Sequence, residues 1–331
     1  METWDATEKR AAEDDGTPAG RRGSRRPRLT GPWPARPPGG TRPNSAGTVG
    51  TVGMAGVARM VRMVRLVRMV PTGAVARVPG MVRAAGLVRV AGVLALAAMT
   101  AAQIATGLRP HDLRLTTVVV VLLAVSALAF AAAAYGPGRA AGAFAAAVAA
   151  GFAAEWAGTR TGLPFGDYRY TDALWPRPGG VPLIVALAWG GMGLAAHAVA
   201  RRVAPRGRLI PILAGALALT AWDLFLDPQM LRLGLWVWAE PGPYRGVPLG
   251  NFAGWLLVSL LVMTLVDRLT GRTDGGRAGA TGLVALYTVM AAMETVGFAV
   301  VFRPPDPFVA AAGGLAMGTF ALLAWGRAWR R

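Results

Sequence analysis

The sequence predicts an all-α fold, a polytopic membrane helix bundle of about eight transmembrane helices. Hydrophobic residues make up 54% of the 331 positions, and the mean hydropathy is +0.43. These residues come in blocks close to the roughly 20 residues needed to cross the hydrocarbon core of a bilayer. The loops between the blocks are short, and arginines dominate every second loop. Together these features are typical of a multi-pass protein of the cell membrane.

The N-terminal segment differs in composition from the rest of the chain. Residues 1–50 are rich in Gly, Pro, Arg and Ser, which predicts disorder because such a segment buries too little apolar surface to fold. Arginines then recur at every third position of 58–70. On a helix they would form a basic amphipathic face for anionic lipid headgroups, and the alternative is a low-complexity extension. We assign 1–80 to a disordered cytoplasmic extension and 81–331 to an integral-membrane domain.

The apolar blocks give eight spans in order along the chain. We place them near 87–107, 115–135, 140–157, 181–200, 209–226, 252–267, 280–302 and 308–326. The even-numbered loops are basic, carrying Arg139, then Arg201, Arg202, Arg206 and Arg208, then Arg268, Arg272 and Arg277. The odd-numbered loops are mixed in sign. Because cytoplasmic loops retain Lys and Arg, this alternation predicts that both termini are cytoplasmic, N-in and C-in.

Composition also excludes several classes of chemistry. The net charge is +18, and the arginines responsible for it lie in the N-terminal segment and in short loops between apolar blocks. This distribution is typical of membrane topology, so we expect no nucleic-acid partner. The absence of Cys excludes disulfides and thiolate nucleophiles. The two histidines, His111 and His197, have no partner at metal-ligand spacing, and we interpret both as structural. Any chemistry must then use carboxylates, Tyr, Asn and Arg.

Four carboxylates fall in the same half of the predicted bundle. Glu155 ends the third span, Asp223 and Asp227 end the fifth, and Glu294 lies within the seventh. An acidic residue inside a membrane helix costs roughly 2.5 to 3.5 kcal/mol on insertion scales, so such residues usually line a cavity or pair with one another. We therefore predict that these four form a catalytic site. A structural pairing with Arg or indole N–H groups is the alternative.

The spacing of Asp223 and Asp227 places both carboxylates on one helix face, one turn apart. Two like charges at that distance in a low dielectric cannot both ionise easily, so one acid and one base can coexist near neutral pH. Pro228 follows immediately, and Asp227 could instead simply end the helix before it.

Two long loops on the same side as these carboxylates have similar sequences. Both contain a Gly and Tyr turn and reach Val-Pro-Leu before the next helix, which predicts that they form one lid. Their aromatic residues are Phe165, Trp175, Trp236 and Trp238, and an interfacial aromatic belt is the alternative interpretation. Asn251 and Trp255 open the sixth span, where Asn251 is either a helix N-cap or a site contact. The glycines in 190–193 indicate close helix packing.

Four separated stretches resemble, in order and spacing, the integral-membrane carotenoid biosynthesis family, which includes carotenoid hydratases. They are EWAGTRTGLPFGDYRY at 155–170, VPLIVALAW at 181–189, TAWDLFLDPQM at 220–230 and WVWAEPGPYRGVPLGNFAGW at 236–255. The resemblance covers roughly 152–267, and the flanking helices agree by hydropathy. It has no counterpart for about the first eighty residues.

The resemblance implies addition of water to the terminal C=C of an acyclic carotenoid end group, giving a tertiary alcohol. Such a reaction needs an acid, a cation-stabilising surface and a base, and we expect no cofactor and no metal. We assign Asp223 as the acid, Asp227 or Glu155 as the group that positions water, and Glu294 as a further catalytic candidate. The residues expected to bind the substrate are Tyr168, Tyr170, Trp222, Trp236, Trp238, Asn251 and Trp255. The expected partners are a lipophilic carotenoid substrate, membrane lipid and other enzymes of the carotenoid pathway.

Two other functions compete with this prediction. The DxxxD spacing of Asp223 and Asp227 could hold Mg²⁺ against a diphosphate, as in a membrane prenyltransferase, although a second such motif is missing. The protein could also be a non-enzymatic carotenoid-binding or transport protein in which buried carboxylates relay protons.

Overall fold

The computed structural model describes residues 78–109, 112–271 and 277–328. Eight long helices run through this described part of the chain, joined by short connections and by two long loops. The helices are α1 (Val78–Leu108), α2 (Leu113–Tyr135), α3 (Pro137–Thr161), α4 (Leu183–Val203), α5 (Leu209–Arg232), α6 (Leu249–Thr270), α7 (Arg277–Val296) and α8 (Pro307–Ala328). The long loops carry two short strands, β1 (Tyr168–Tyr170) and β2 (Trp236–Trp238), and a 3₁₀ turn (Pro178–Gly180).

Each of the eight helices is long and apolar enough to cross a membrane. The prediction of an all-α, multi-pass membrane bundle is therefore confirmed, and the observed spans match the predicted ones to within a few residues. Helices α3 and α5 continue beyond their predicted ends, to Thr161 and Arg232. The largest difference is at α1, which begins at Val78, before the predicted span and before the predicted domain boundary at residue 81. Residues 1–77 of the predicted disordered extension, with the arginine repeat, lie outside the described residues.

Helix α4 is the centre of the bundle, because every residue from 188 to 200 is buried. A Cβ atom added at Gly190 would lie 2.7 Å from Phe144 and Val148 of α3, and one at Gly191 would lie 2.9 Å from Leu123 of α2. The prediction that these glycines permit close helix packing is confirmed. Large side chains are instead exposed on peripheral faces, for example Leu94, Leu315 and Leu322, as expected of surfaces that contact lipid.

The two long loops meet at one end of the bundle, which we call the lid end. Strands β1 and β2 pair antiparallel, with Tyr168 opposite Trp238 and Tyr170 opposite Trp236. Because side chains alternate along a strand, these four aromatic residues share one face, while Arg169 points to the other. The prediction that both loops build one lid is confirmed in this geometry.

Helix α5 continues through Pro228 for another turn, so the expectation that the helix ends before Pro228 is wrong. Proline has no N–H, which leaves the carbonyl of Leu224, four residues earlier, without its usual helical donor. The hydroxyl of Tyr244, on the second long loop, donates to the Leu224 carbonyl oxygen at 2.9 Å. The loop thus supplies the missing hydrogen bond and fixes the last turns of α5, where Asp227 lies.

The opposite end of the bundle carries a separate buried ionic group. Asp267 of α6 lies 3.4 Å from Arg208 and 3.6 Å from Nε2 of His197, and Arg201 is at 4.0 Å. These contacts link α4, the start of α5 and the end of α6, in agreement with a structural role for His197. His111 lies outside the described residues.

Candidate functional site

Glu155 is buried near the end of α3 and receives hydrogen bonds from three side chains. The hydroxyl groups of Tyr168 and Tyr170 both donate to its Oε2 atom, the second at 2.7 Å. The indole Nε1 of Trp189, on α4, donates to Oε1 at 3.1 Å. Donors of this kind stabilise a carboxylate in its ionised form, and they offset part of the cost of burying its charge.

The two tyrosines remain donors over a wide pH range. Burial and the neighbouring Glu155 carboxylate raise the pKa of both the Tyr168 and the Tyr170 hydroxyl well above the usual value. A raised pKa for a phenol means that the protonated form, which is the hydrogen-bond donor, persists above pH 10. The contacts to Glu155 therefore do not titrate at physiological pH.

Asp223 and Asp227 lie one turn apart on α5, and both are buried. The side-chain amide of Asn251, from α6, donates to Oδ2 of Asp223 at 2.7 Å and also to Oδ2 of Asp227. Asn251 lies inside α6, which begins at Leu249, so the N-cap alternative is wrong, and the side chain contacts the two aspartates instead. A single amide group thus joins the two aspartates.

Glu155 and Asp227 face one cavity beneath the lid, which we call the acidic cavity. Asn251 also lines it, whereas Asp223 is not part of its wall. The remaining wall is apolar or aromatic, consisting of Phe165, Tyr168, Tyr170, Val185, Leu226, Trp236, Trp238 and Trp255. The cavity therefore combines two acidic groups on different helices with several aromatic rings.

A second cavity adjoins the acidic cavity. The two share Val185, Leu226, Trp236 and Trp255 in their walls. Trp255 stacks on Trp189 with ring centroids 4.1 Å apart, and Trp222 meets Trp255 edge-on. We call this space the tryptophan cavity, because indole rings and aliphatic side chains form nearly all of its wall.

Glu294 does not join the other three carboxylates. It lines a third cavity, which we call the Glu294 cavity. This cavity shares Thr116, Val120, Trp222, Leu226 and Met230 with the tryptophan cavity. Of the predicted site residues, the structure thus brings Glu155, Asp223, Asp227 and Asn251 together with the lid aromatics, and it separates Glu294 from them.

Sequence reasoning missed Trp189, which donates to Glu155. The one sequence feature that goes with this contact is Gly151, one turn before Glu155. A Cβ atom at Gly151 would lie 2.3 Å from the Trp189 ring, so a glycine lets the ring approach α3. Phe165, Trp236 and Trp238 are buried in the lid, whereas Trp175 is 81% exposed and takes no part in the site. Within residues 78–109, 112–271 and 277–328, no three His, Asp or Glu side chains are grouped as a metal site would need.

Comparison with known proteins agrees with the resemblance carried by the four stretches. The sequence is 33% identical over 120 residues to a bisanhydrobacterioruberin hydratase from Haloarcula japonica. That match covers 34% of this chain and 40% of the relative, so it spans less than half of the relative's length. No solved structure matches the chain. The profile of a family described as carotenoid biosynthesis protein matches residues 116–320. This range includes every residue that lines the three cavities, apart from those that α1 contributes to the Glu294 cavity. A match over more than half of the sequence, on a bundle of eight membrane helices, shows that the chain belongs to the carotenoid biosynthesis protein family.

Proposed function

We propose that the protein is a carotenoid hydratase, which adds water to the terminal C=C of an acyclic carotenoid end group to give a tertiary alcohol. The observation that carries this proposal is the acidic cavity, where Asp227 and Glu155 face one apolar, aromatic space from two different helices. The relative from Haloarcula japonica bears the name of a hydratase, which supports the same reaction class.

Protonation of the alkene requires a carboxylic acid in its neutral form. Asp223 and Asp227 share one amide donor in a buried setting, and two adjacent buried carboxylates ionise together only at high cost. The pair therefore holds a proton, and Asp227 is the member that lines the cavity. We assign Asp227 as the proton donor to the less substituted alkene carbon, with Asp223 and Asn251 as positioning residues behind it. This differs from the assignment of Asp223 as the acid, because Asp223 does not reach the cavity wall.

The proton transfer leaves a tertiary carbocation on the more substituted carbon. Aromatic faces attract cations through the ring quadrupole, and Trp236, Trp238 and Trp255 line the cavity beside Asp227. These rings also exclude bulk water, so the cation meets only the water that the site admits.

Glu155 is the base that captures this water. Its three hydrogen-bond donors favour the ionised form, which can accept a proton, and it lines the same cavity as Asp227. Water attacks the cation, a C–O bond forms, and one water proton passes to Glu155. Since Asp227 has lost one proton and Glu155 has gained one, a transfer between them restores the starting state.

The tryptophan cavity extends the site for the rest of the substrate. Its wall is almost wholly apolar, and it shares four wall residues with the acidic cavity. A conjugated polyene fits such a space because burial of apolar carbons on indole rings is favourable. We propose that the end group occupies the acidic cavity and the polyene enters the tryptophan cavity, in a protein of the cell membrane with both termini cytoplasmic.

The test is co-expression with a lycopene-producing pathway, followed by mass analysis of the pigments. We expect a mass gain of one water for each hydrated end, and unchanged lycopene would contradict the proposal. Purified protein assayed with and without EDTA separates the hydratase from a Mg²⁺-dependent prenyltransferase, since hydration should survive chelation. A transport or storage protein would bind lycopene and leave its mass unchanged.

A further inference from the structure

We propose that the Glu294 cavity binds the hydroxyl group of a hydroxylated carotenoid. The inference rests on the proposed function, because it concerns the same class of isoprenoid. It treats Glu294 as a recognition residue in a second, separate part of the binding site.

Three polar groups at this cavity lack a partner within the described part of the chain. The Glu294 side chain has no hydrogen bond or ion pair there, although the residue is only 8% exposed. Oε1 of Gln103 and Nε1 of Trp222 are buried and likewise have no hydrogen bond. Gln103 makes only a weak contact through its nitrogen, at 3.4 Å from the sulfur of Met290. Buried polar groups are usually satisfied, so a ligand or water must serve these three.

Their chemistry selects the ligand. Trp222 can only donate through its indole N–H, Gln103 Oε1 can only accept, and a carboxyl group can accept or, when neutral, donate. A hydroxyl group both donates and accepts, so it can satisfy this set. A phosphate or carboxylate would meet Glu294, and no basic residue lines the cavity to balance it.

The rest of the cavity suits an apolar chain. Its other lining residues include Val119, Leu123, Met293, Val301 and Phe302. A π-helical turn, Gly297–Val301, follows α7, and it brings Val301 and the next residue, Phe302, into the wall. Such turns are frequent at functional sites. The cavity also borders the tryptophan cavity, so a chain reaching past Trp222 would pass from one to the other.

The test measures binding without turnover, so it uses the Asp227→Asn protein, which should not hydrate lycopene. This protein in lipid nanodiscs is titrated with lycopene and with its 1-hydroxy derivative, and quenching of the fluorescence of its 11 tryptophans reports binding. Changes at Glu294 are made in the same background. We expect the hydroxylated probe to bind about two- to tenfold more tightly, the range expected for one net hydrogen bond. Glu294→Leu should remove this preference, whereas Glu294→Gln should keep most of it because the amide still forms hydrogen bonds.

The matched control is Glu155→Gln, a change in the acidic cavity. This variant should lose hydration and keep the preference for the hydroxylated probe, which separates the two proposals. Equal binding of both probes by the Asp227→Asn protein with Glu294 intact would mean that the cavity holds water only and would overturn the inference. Retention of the preference by Glu294→Leu would overturn it as well.

Discussion

Replacement of Tyr170 by Phe tests the role of Glu155 as base. The change removes one hydroxyl, which donates to Oε2 of Glu155 at 2.7 Å, and leaves the aromatic ring in place. Tyr170 is buried, so solvent water cannot readily take over the contact. A hydrogen bond to a charged group contributes about 1.5 to 3 kcal/mol. At 1.4 kcal/mol for each factor of ten, we expect the hydration rate to fall by about 10- to 150-fold.

The assay is the initial rate of hydroxycarotenoid formation in nanodiscs, with kcat and KM determined separately. Because the lost contact stabilises the base rather than the polyene, the loss should appear mainly in kcat. The matched control is Tyr287→Phe, which removes an equally buried hydroxyl that donates to the Ala218 carbonyl at 2.8 Å. Tyr287 lines none of the three cavities, so this variant should stay within about twofold of the wild-type rate. Full activity of Tyr170→Phe, or an equal loss in both variants, would refute the reasoning.

Three further predictions concern the lid and its supports. Gly254→Ala should displace the first long loop and lower the hydration rate, because the new Cβ would lie 2.4 Å from a backbone oxygen of that loop. The control is Gly250→Ala, which should have little effect because open space surrounds Gly250. Tyr244→Phe should lower the free energy of unfolding by about 1 to 3 kcal/mol, since it leaves a buried carbonyl unpaired. In a Pro228→Ala background, where the helix supplies its own donor, the same change should cost much less, and equal costs in both backgrounds would contradict the assigned contact. The folded protein keeps the Tyr170 hydroxyl protonated, whereas the unfolded chain ionises it near pH 10. The thermal stability should therefore decline above pH 10, and it should decline less steeply in Tyr170→Phe. An equally steep decline in the wild-type protein and the variant would contradict this.

The eight membrane-spanning helices could be predicted from the sequence, because polar groups are costly to bury in lipid and each helix must therefore be a long apolar block. The same cost identified Glu155 and Asp227, since an acidic residue at a membrane helix end needs a partner or a cavity. Hydropathy could not tell which side of a helix such a residue faces. Glu294 lines a different cavity from Asp227, although both were predicted to lie in the same half of the bundle.

Contacts between distant elements were the other unpredictable part. A buried Trp such as Trp189 has the same sequence signal whether its indole N–H meets a carboxylate or only packs in the core. Pro228 suggested a helix end, because the sequence did not reveal that a tyrosine 16 residues later supplies the missing donor. Asn251 remained ambiguous until α6 was seen to begin two residues before it. In each case, tertiary packing decided between local alternatives.

The most direct measurement of the central claim uses 18O-labelled water and the Asp227→Asn variant. Wild-type protein in nanodiscs, supplied with lycopene, should form an alcohol that carries one labelled oxygen at each hydrated end. Asp227→Asn keeps the size of the side chain but removes the acid, so hydration should fall by at least about 100-fold. Glu240→Gln, an exposed change in the same loop as β2, should keep the wild-type rate. Unlabelled hydroxyl groups, or normal hydration by Asp227→Asn, would contradict water addition by this cavity.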